Sequence, residues 1–371
     1  MRIIWTFFYF LLITTGLWGQ ISLPPIFTDH MVLQQKSEVP VWGWGETKKT
    51  IKIVGSWAPK DTASATVRSD GSWDTTLKTA EAGGPYTLTI LGNGKRELKD
   101  VMLGEVWLCS GQSNMAWTPM RIDNRDEEIA TANHPNIRFF NIPKRGAATP
   151  QNYCEASWTT CTPEVMKNTS AVAYFFGRDL QKNLNVPIGL VVSAWGGTPA
   201  EVWTPEERVM NNPQIRDAMS NKTHPSWPSK PGVLYNQMIN PIIPYSLSGV
   251  IWYQGESNRD HPDSYGILLK TMIESWRKNF GKDFPFYLVQ IAPHTYNAGD
   301  NGAALVREHQ EWIARRVPKS GMVVISDCVA DVKNTMALMG ANLFGNASRE
   351  VTMVGVIGTK GKTTTNHMIK N

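Results

Sequence analysis

The chain has 371 residues, 42% hydrophobic and 19% charged, which is enough to bury a substantial core and to hold two domains. The formal charge is +5, but it is unevenly placed. Arg349, Lys360, Lys362 and Lys370 stand against Glu350 alone in residues 335–371, and Arg2 lies at the opposite end. The body between is close to neutral and carries no footprint for nucleic acid.

Residues 1–19 hold one early charge, Arg2, followed by an uncharged run from Ile3 to Trp18. That pattern is a signal peptide, so the chain is expected to be exported to the periplasm or beyond, with no membrane contact once the signal is removed. The run is short for a bilayer span. Residues 20–100 read as a β-sandwich domain: "PVWGWGE", "IKIVGSW", "SATVRSDGSWDTTL" and "PYTLTILGNGKREL" alternate apolar and polar residues. The "DG" at 70–71 and the "GNG" at 92–94 are hairpin signals.

From Val101 the rhythm changes. "VMLGEVWLCS", "IRFFNI", "IGLVVSAW", "GVIWYQG", "FYLVQIA" and "GMVVISD" are apolar strands interspersed with helical periods such as "SAVAYFFGRDLQKNL" and "SYGILLKTMIESWRKNF". Such strands predict a parallel sheet covered on both faces, an α/β fold whose site lies beyond the strands' carboxyl ends. Cys109, Cys154, Cys161 and Cys328 show no metal spacing. Cys109 and Cys328 are expected as buried thiols, while Cys154 and Cys161 are close enough in sequence to pair in an oxidising compartment.

Three polar, glycine-bearing loops follow strand ends. In "GQSNM" (111–115), Ser113 at a strand-to-helix turn can expose its hydroxyl, with helix N–H groups behind it. Capping of a helix by Ser113 and Asn114 is the plain alternative. In "WGGTPAEVW" (195–203) the paired glycines let a backbone N–H approach a ligand closely. In "WYQGESN" (252–258) Gln254 can donate an amide hydrogen bond, and Glu256 and Asn258 can hold substrate hydroxyls.

These stretches, with "LPPIFTDHMVLQQ", resemble the sialate O-acetylesterase family, carbohydrate esterases of the SGNH hydrolase type, over residues 20–334. The resemblance implies a flavodoxin-like α/β/α domain (101–334) joined to the sandwich, an acetylated sugar or glycan as substrate, and neither metal nor cofactor. It assigns Ser113 as nucleophile. The Ser113 N–H, an N–H from Gly196 or Gly197, and Gln254 would form the oxyanion hole, with Asp327 and Asp331 available to orient a base. Asn114, Trp203, Glu256 and Asn258 would face the sugar, on which Trp117, Trp203 or Trp252 could stack. The oligomeric state is not legible in the sequence.

The resemblance breaks after Asn334. Where the family has Ile-His, the chain has Thr335 and Met336, so the histidine base is missing and activity is expected to be impaired. His294 and His309 are the nearby substitutes, the latter expected in a packing role. A glycan-binding protein without turnover is the alternative reading. Residues 335–371 resemble the start of the central domain of a Mur ligase, the UDP-MurNAc-tripeptide synthetase type, and the chain is expected to be an esterase cut after Asn334 and joined to a ligase fragment. There "GTKGKT", with Gly358, Gly361, Lys362 and Thr363, matches a phosphate loop. The chain stops at Asn371, a few residues beyond the loop, so the loop is expected to be a vestige and not a working nucleotide site. An ATP-dependent ligase is the remote reading.

Overall fold

A computed structural model describes residues 21–122, 124–219, 223–293 and 301–325, and the backbone of strand 354–356. The expected signal peptide, His294, Cys328, Asp327, Asp331 and the loop at Gly358–Thr363 lie outside the described residues.

The N-terminal part is built from β1 (Val32–Gln34), β2 (Glu38–Trp44), β3 (Thr50–Gly55), β4 (Thr62–Thr66), β5 (Ser72–Lys78) and β6 (Gly83–Gly92). Strand β7 (Gly94–Gly111) then continues straight into the second part. Antiparallel β2–β5 makes one sheet, and β4–β3–β6–β7, with β1 added parallel to β7, makes the other. Alternation places Val39 and Val41 of β2, Ile51 and Ile53 of β3, and Trp73 and Leu77 of β5 inside, each at most 3% exposed. The Gly92–Gly94 turn closes the β6/β7 hairpin as expected. Asp70–Gly71 does not close one: β4 and β5 belong to different sheets, so this turn carries the chain between layers.

The change of rhythm at Val101 falls inside β7, whose first half pairs with β6 and whose second half pairs with β10 (Ile188–Ala194) and β11 (Gly249–Tyr253). The two parts therefore share a strand rather than a linker. The remaining strands are β8 (His134–Asn141), β9 (Trp158–Cys161), β12 (Phe286–Val289), β13 (Ser320–Val324) and β14 (Val354–Val356). Across the sheet they run β14-β13-β12-β11-β7-β10-β8-β9, all parallel except β9. With β8 and β9 set aside as additions at one edge, the run β10-β7-β11-β12-β13 has the flavodoxin order 2-1-3-4-5. The final strand, β14, adds to β13 in parallel register.

Helix α3 (Ala171–Leu184) covers one face of the sheet, and α6 (Tyr265–Phe280) with α7 (Gly302–Arg316) covers the other. Each helix is placed by its sequence. Ser170 caps α3 by accepting the Ala173 N–H at 3.0 Å, and Gly281 ends α6 in the left-handed region. The α6/α7 face merges with the sandwich core in one apolar cluster. Between β10 and β11 the described residues form no long helix. The chain passes instead through short α4 (Glu206–Met210) and α5 (Pro213–Arg216) and a π-helical turn at Tyr235–Ile239. Short α1 (Arg125–Thr131) and α2 (Pro163–Met166) precede α3. No described helix is long and apolar enough to cross a membrane.

Cys109, Cys154 and Cys161 are each buried and unpaired, so Cys154 and Cys161 do not form a disulfide. His309 lies on α7, with its ring against Gly266 of α6, in the packing role expected of it.

Candidate active site

In the observed strand order β7 sits between β10 and β11, so the chain leaving β7 and the chains leaving its neighbours diverge and open a crevice at their carboxyl ends. Gly111 ends β7 at φ 143°, and a Cβ there would lie 2.2 Å from the Tyr253 carbonyl oxygen. Only glycine lets β7 and β11 run this close. The next residue locks the approach, because Gln112 N–H donates to Tyr253 O at 3.0 Å.

Ser113 follows on an exposed turn held from both sides. Ala116 N–H bonds to Gln112 O at 2.9 Å, Ala171 N–H bonds to Trp117 O at 2.8 Å, and Met115 is fully buried. The turn is one helical loop followed by a 3-10 segment at Pro119–Arg121, so the helix expected behind Ser113 is reduced to a single turn. From β10, Gly196 comes against the serine: a Cβ on Gly196 would lie 3.3 Å from Ser113 Cβ. Among the described residues the N–H groups of Ser113, Gly196 and Gly197 find no acceptor. The serine thus stands beside unsatisfied donors that can meet a developing negative charge.

The loop after β11 forms a buried polar wall. Gln112 Oε1 accepts from Gly255 N–H and Ser257 N–H, each at 3.3 Å. Asn258, 2% exposed, accepts from Ala200 N–H at 2.9 Å and from Gln254 Nε2 at 2.7 Å, and donates to Glu201 Oε2 at 2.9 Å. Asn114 Nδ2 donates to Glu256 Oε1 at 2.7 Å, whereas Glu256 Oε2 is buried without a partner. Burial pushes the carboxyls of Glu201 and Glu256 above the usual range, partly offset at Glu201 by the bond from Asn258.

Three sequence expectations change here. Gln254 is fully buried, and both its amide hydrogens are spent, on Asn258 Oδ1 and on the Thr198 carbonyl at 3.3 Å. It therefore presents no open donor to an oxyanion. Asn258 is turned inward to Glu201 and cannot also hold a sugar hydroxyl. Trp203 and Trp252 have no exposure. They stack edge-to-face at 6.1 Å, and Trp203 Nε1 donates to Thr198 Oγ1 at 3.0 Å. Both are core residues, which removes them as sugar platforms. Ser113, Asn114, Gly196, Gly197 and Glu256 are brought together. Trp117 stays part-exposed near the serine, with Arg121 over its ring at 5.1 Å.

Sequence reasoning missed Gln112, Glu201 and Trp227. Gln112 sits inside the quoted "GQSNM", where its adjacency to the serine was the available signal. Trp227 packs face-on against Gly197: a Cβ on that glycine, at φ 80°, would lie 2.3 Å from the indole. Nothing in "HPSWPSK" marks it for that position.

The family model for sialic acid-specific acetylesterases, a carbohydrate esterase family, matches residues 103–335. The sialate O-acetylesterase of Homo sapiens is 33% identical over 324 residues, covering 79% of this chain and 62% of the relative, so the chain spans less than two thirds of that protein. The crystal structure of a carbohydrate acetylesterase from Xanthomonas citri shares 32% identity and a TM-score of 0.76, covering 86% of this chain and 74% of that one. A separate likeness, 36% identity over 63 residues, relates 16% of this chain to 12% of UDP-N-acetylmuramoyl-L-alanyl-D-glutamate--2,6-diaminopimelate ligase 1 of Clostridium acetobutylicum. With its strand order, its serine turn and the two facing loops in place, the chain belongs to the sialic acid-specific acetylesterase family of carbohydrate esterases.

Proposed function

We propose that the chain is an exported carbohydrate O-acetylesterase whose nucleophile is Ser113 and whose turnover is impaired by loss of the general base. The observation that carries the reading is the exposed Ser113 set against Gly196, with N–H groups at both residues lacking an acceptor. In the first step Ser113 Oγ attacks the acetyl carbonyl. The negative oxygen is met by the Ser113 and Gly196 N–H groups, and the C–O bond to the sugar breaks to leave an acetyl-serine and a sugar hydroxyl. Water then attacks the acetyl-serine, releasing acetate and restoring the hydroxyl.

Both steps need a group that takes a proton and returns it. In this family that group is expected in the stretch that follows β13, where Thr335 and Met336 now stand. The remaining donors and binding contacts then leave only residual catalysis, several orders of magnitude below that of a complete site. The test is acetate release from acetylated sugars by the parent chain, by Ser113→Ala, and by the double variant Thr335→Ile/Met336→His. The double variant is expected to exceed the parent by about a hundredfold or more, within the range of general acid–base catalysis, and Ser113→Ala to release nothing above buffer. Equal release by parent and Ser113→Ala would end the serine reading. Export is tested separately, by sequencing the amino terminus of protein recovered outside the cytoplasm.

A further inference from the structure

A second cavity lies outside the crevice, in the groove where α5 and the turn at Pro262–Ser264 meet α6 and α7. Its volume is about 590 Å³, inside the range of ligand sites, roughly 300 to 1,000 Å³. None of its lining residues belongs to the crevice.

The groove has an aromatic and aliphatic floor. His309 and Trp312 stand three residues apart on α7 and so share a face, and Ile267 joins them from α6. The His309 ring takes the place that a side chain on Gly266 would occupy, since a Cβ there would lie 2.6 Å from Nδ1. Trp312 is used differently. It is 42% exposed, and among the described residues it stacks on no ring, lies under no cation and makes no hydrogen bond. A lone exposed indole means little. This one stands in a groove of ligand size, and its open surface faces no described partner.

The rim is polar and balanced in charge. Gln214 of α5, Asp263 and Lys270 are all exposed. Among the described residues nothing hydrogen-bonds to the Asp263 carboxylate, the Gln214 amide or the His309 ring nitrogens. Lys270 has only Glu274 on its own helix, at 3.8 Å. One carboxylate and one ammonium create no field that would gather a polyanion. An indole for a C–H face, with an amide, a carboxylate and an ammonium free to bond hydroxyls, suits a neutral sugar.

Position says which sugar. Met219 lines the crevice and its neighbour Ala218 lines the groove; His261 lines the crevice and Asp263 lines the groove. The ridge between the two cavities is therefore one residue wide on one side and two on the other, at most roughly 7 Å of backbone. A glycan with its acetylated unit in the crevice can cross that ridge and lay a further unit on Trp312. We propose that the groove is a second glycan subsite, which holds an unesterified neutral sugar unit of the same chain with Trp312 as its platform. The substrate is then an oligomeric or polymeric glycan rather than a free acetylated sugar. The proposal rests on the esterase reading for what fills the crevice, but its test does not depend on turnover.

The full chain carrying Ser113→Ala is titrated on an array of partially O-acetylated β-1,4-linked xylose, glucose, mannose and N-acetylglucosamine. Each sugar is present as the methyl monosaccharide and as the hexasaccharide, the latter also after chemical deacetylation. In at least one series the hexasaccharide is expected to bind about tenfold or more tighter than its monosaccharide, or ~1.4 kcal/mol. Adding Trp312→Ala should bring that ratio to within about twofold of unity, Trp312→Phe should keep most of it, and Gln214→Ala should lower it about threefold. The deacetylated hexasaccharide should lose affinity on Trp312→Ala as well, because the second unit carries no ester. A ratio near unity in every series would overturn the proposal. A ratio that Trp312→Ala leaves unchanged, whether the two affinities hold or fall together, would overturn it equally. Binding that depends on Trp312 in a chain whose Ser113 fails to label with a fluorophosphonate would strike the esterase reading and uphold the subsite.

Discussion

Two polar clusters in this molecule treat their carboxyl groups in opposite ways. Where the sandwich meets the α/β sheet, Asp100 receives Arg138 in a two-point contact at 2.6 and 3.1 Å and His30 at 2.7 Å. Burial opposes ionisation of Asp100, but those bonds outweigh it and hold its carboxyl below the usual range. In the crevice, Glu201 is buried and Glu256 half-buried, each accepting from a side-chain amide, and burial pushes both upward. The junction uses charge to hold two parts together. The crevice holds its carboxyl groups on amide donors, an arrangement that costs stability and that clusters at functional sites.

Asn258→Ala would strand the Glu201 carboxyl, the Ala200 N–H and the Gln254 amide at once, at about 1–3 kcal/mol per unsatisfied group. A loss of about 3–5 kcal/mol in urea unfolding is expected, and a loss below about 1 kcal/mol would mean that the network is not load-sharing. Gly196→Ala places a methyl against Ser113, so Ser113 labelling should fall about a hundredfold, as a displacement near 1 Å can cause. Its melting temperature should barely move. A large fall in stability with normal labelling would reverse the assignment of Gly196. Arg138→Met removes one side of the junction pair. Because Asp100 remains about a third exposed, the cost should stay at about 2 kcal/mol, under the ~3–5 of a fully buried pair.

The smallest effect is in pH. Asp100 titrates below its ordinary 3.8 in the folded state, so its contribution is present above that value and is lost as pH falls through the folded pKa. Glu201 and Glu256 titrate above their ordinary 4.5, so the folded state holds more protons there and gains stability as pH drops toward 4.5. Melting temperature against pH should lose the lower limb in Asp100→Asn and the upper one in Glu201→Gln. A profile unchanged by either substitution would contradict the assignment.

Much of this was legible from the chain alone, for stateable reasons. Apolar strands ending in "GQSNM", "WGGTP" and "QGESN" marked the crevice, because a doubly covered parallel sheet leaves only strand ends open for chemistry. Ser113, Gly196 and Glu256 follow directly from that. The direction a loop side chain takes did not. Asn258 and Trp203 read as outward-facing because loop residues usually are, yet contacts with Glu201 and Thr198 turn them in. Trp227 was invisible for the converse reason: it sits in a stretch without strand or helix period, and only a residue distant in sequence, Gly197, gives it a place. The boundary at Val101 shows the same limit, since pairing partners change there while β7 itself runs on.

We propose Ser113 as a nucleophile poised beside open backbone donors, with its general base lost. The most direct measurement is intact-chain mass spectrometry after exposure to a fluorophosphonate, followed by peptide mapping. A single adduct is expected on the peptide containing Ser113, absent in Ser113→Ala and faster in Thr335→Ile/Met336→His. An adduct on another residue, or none in the histidine-restored chain, would contradict it.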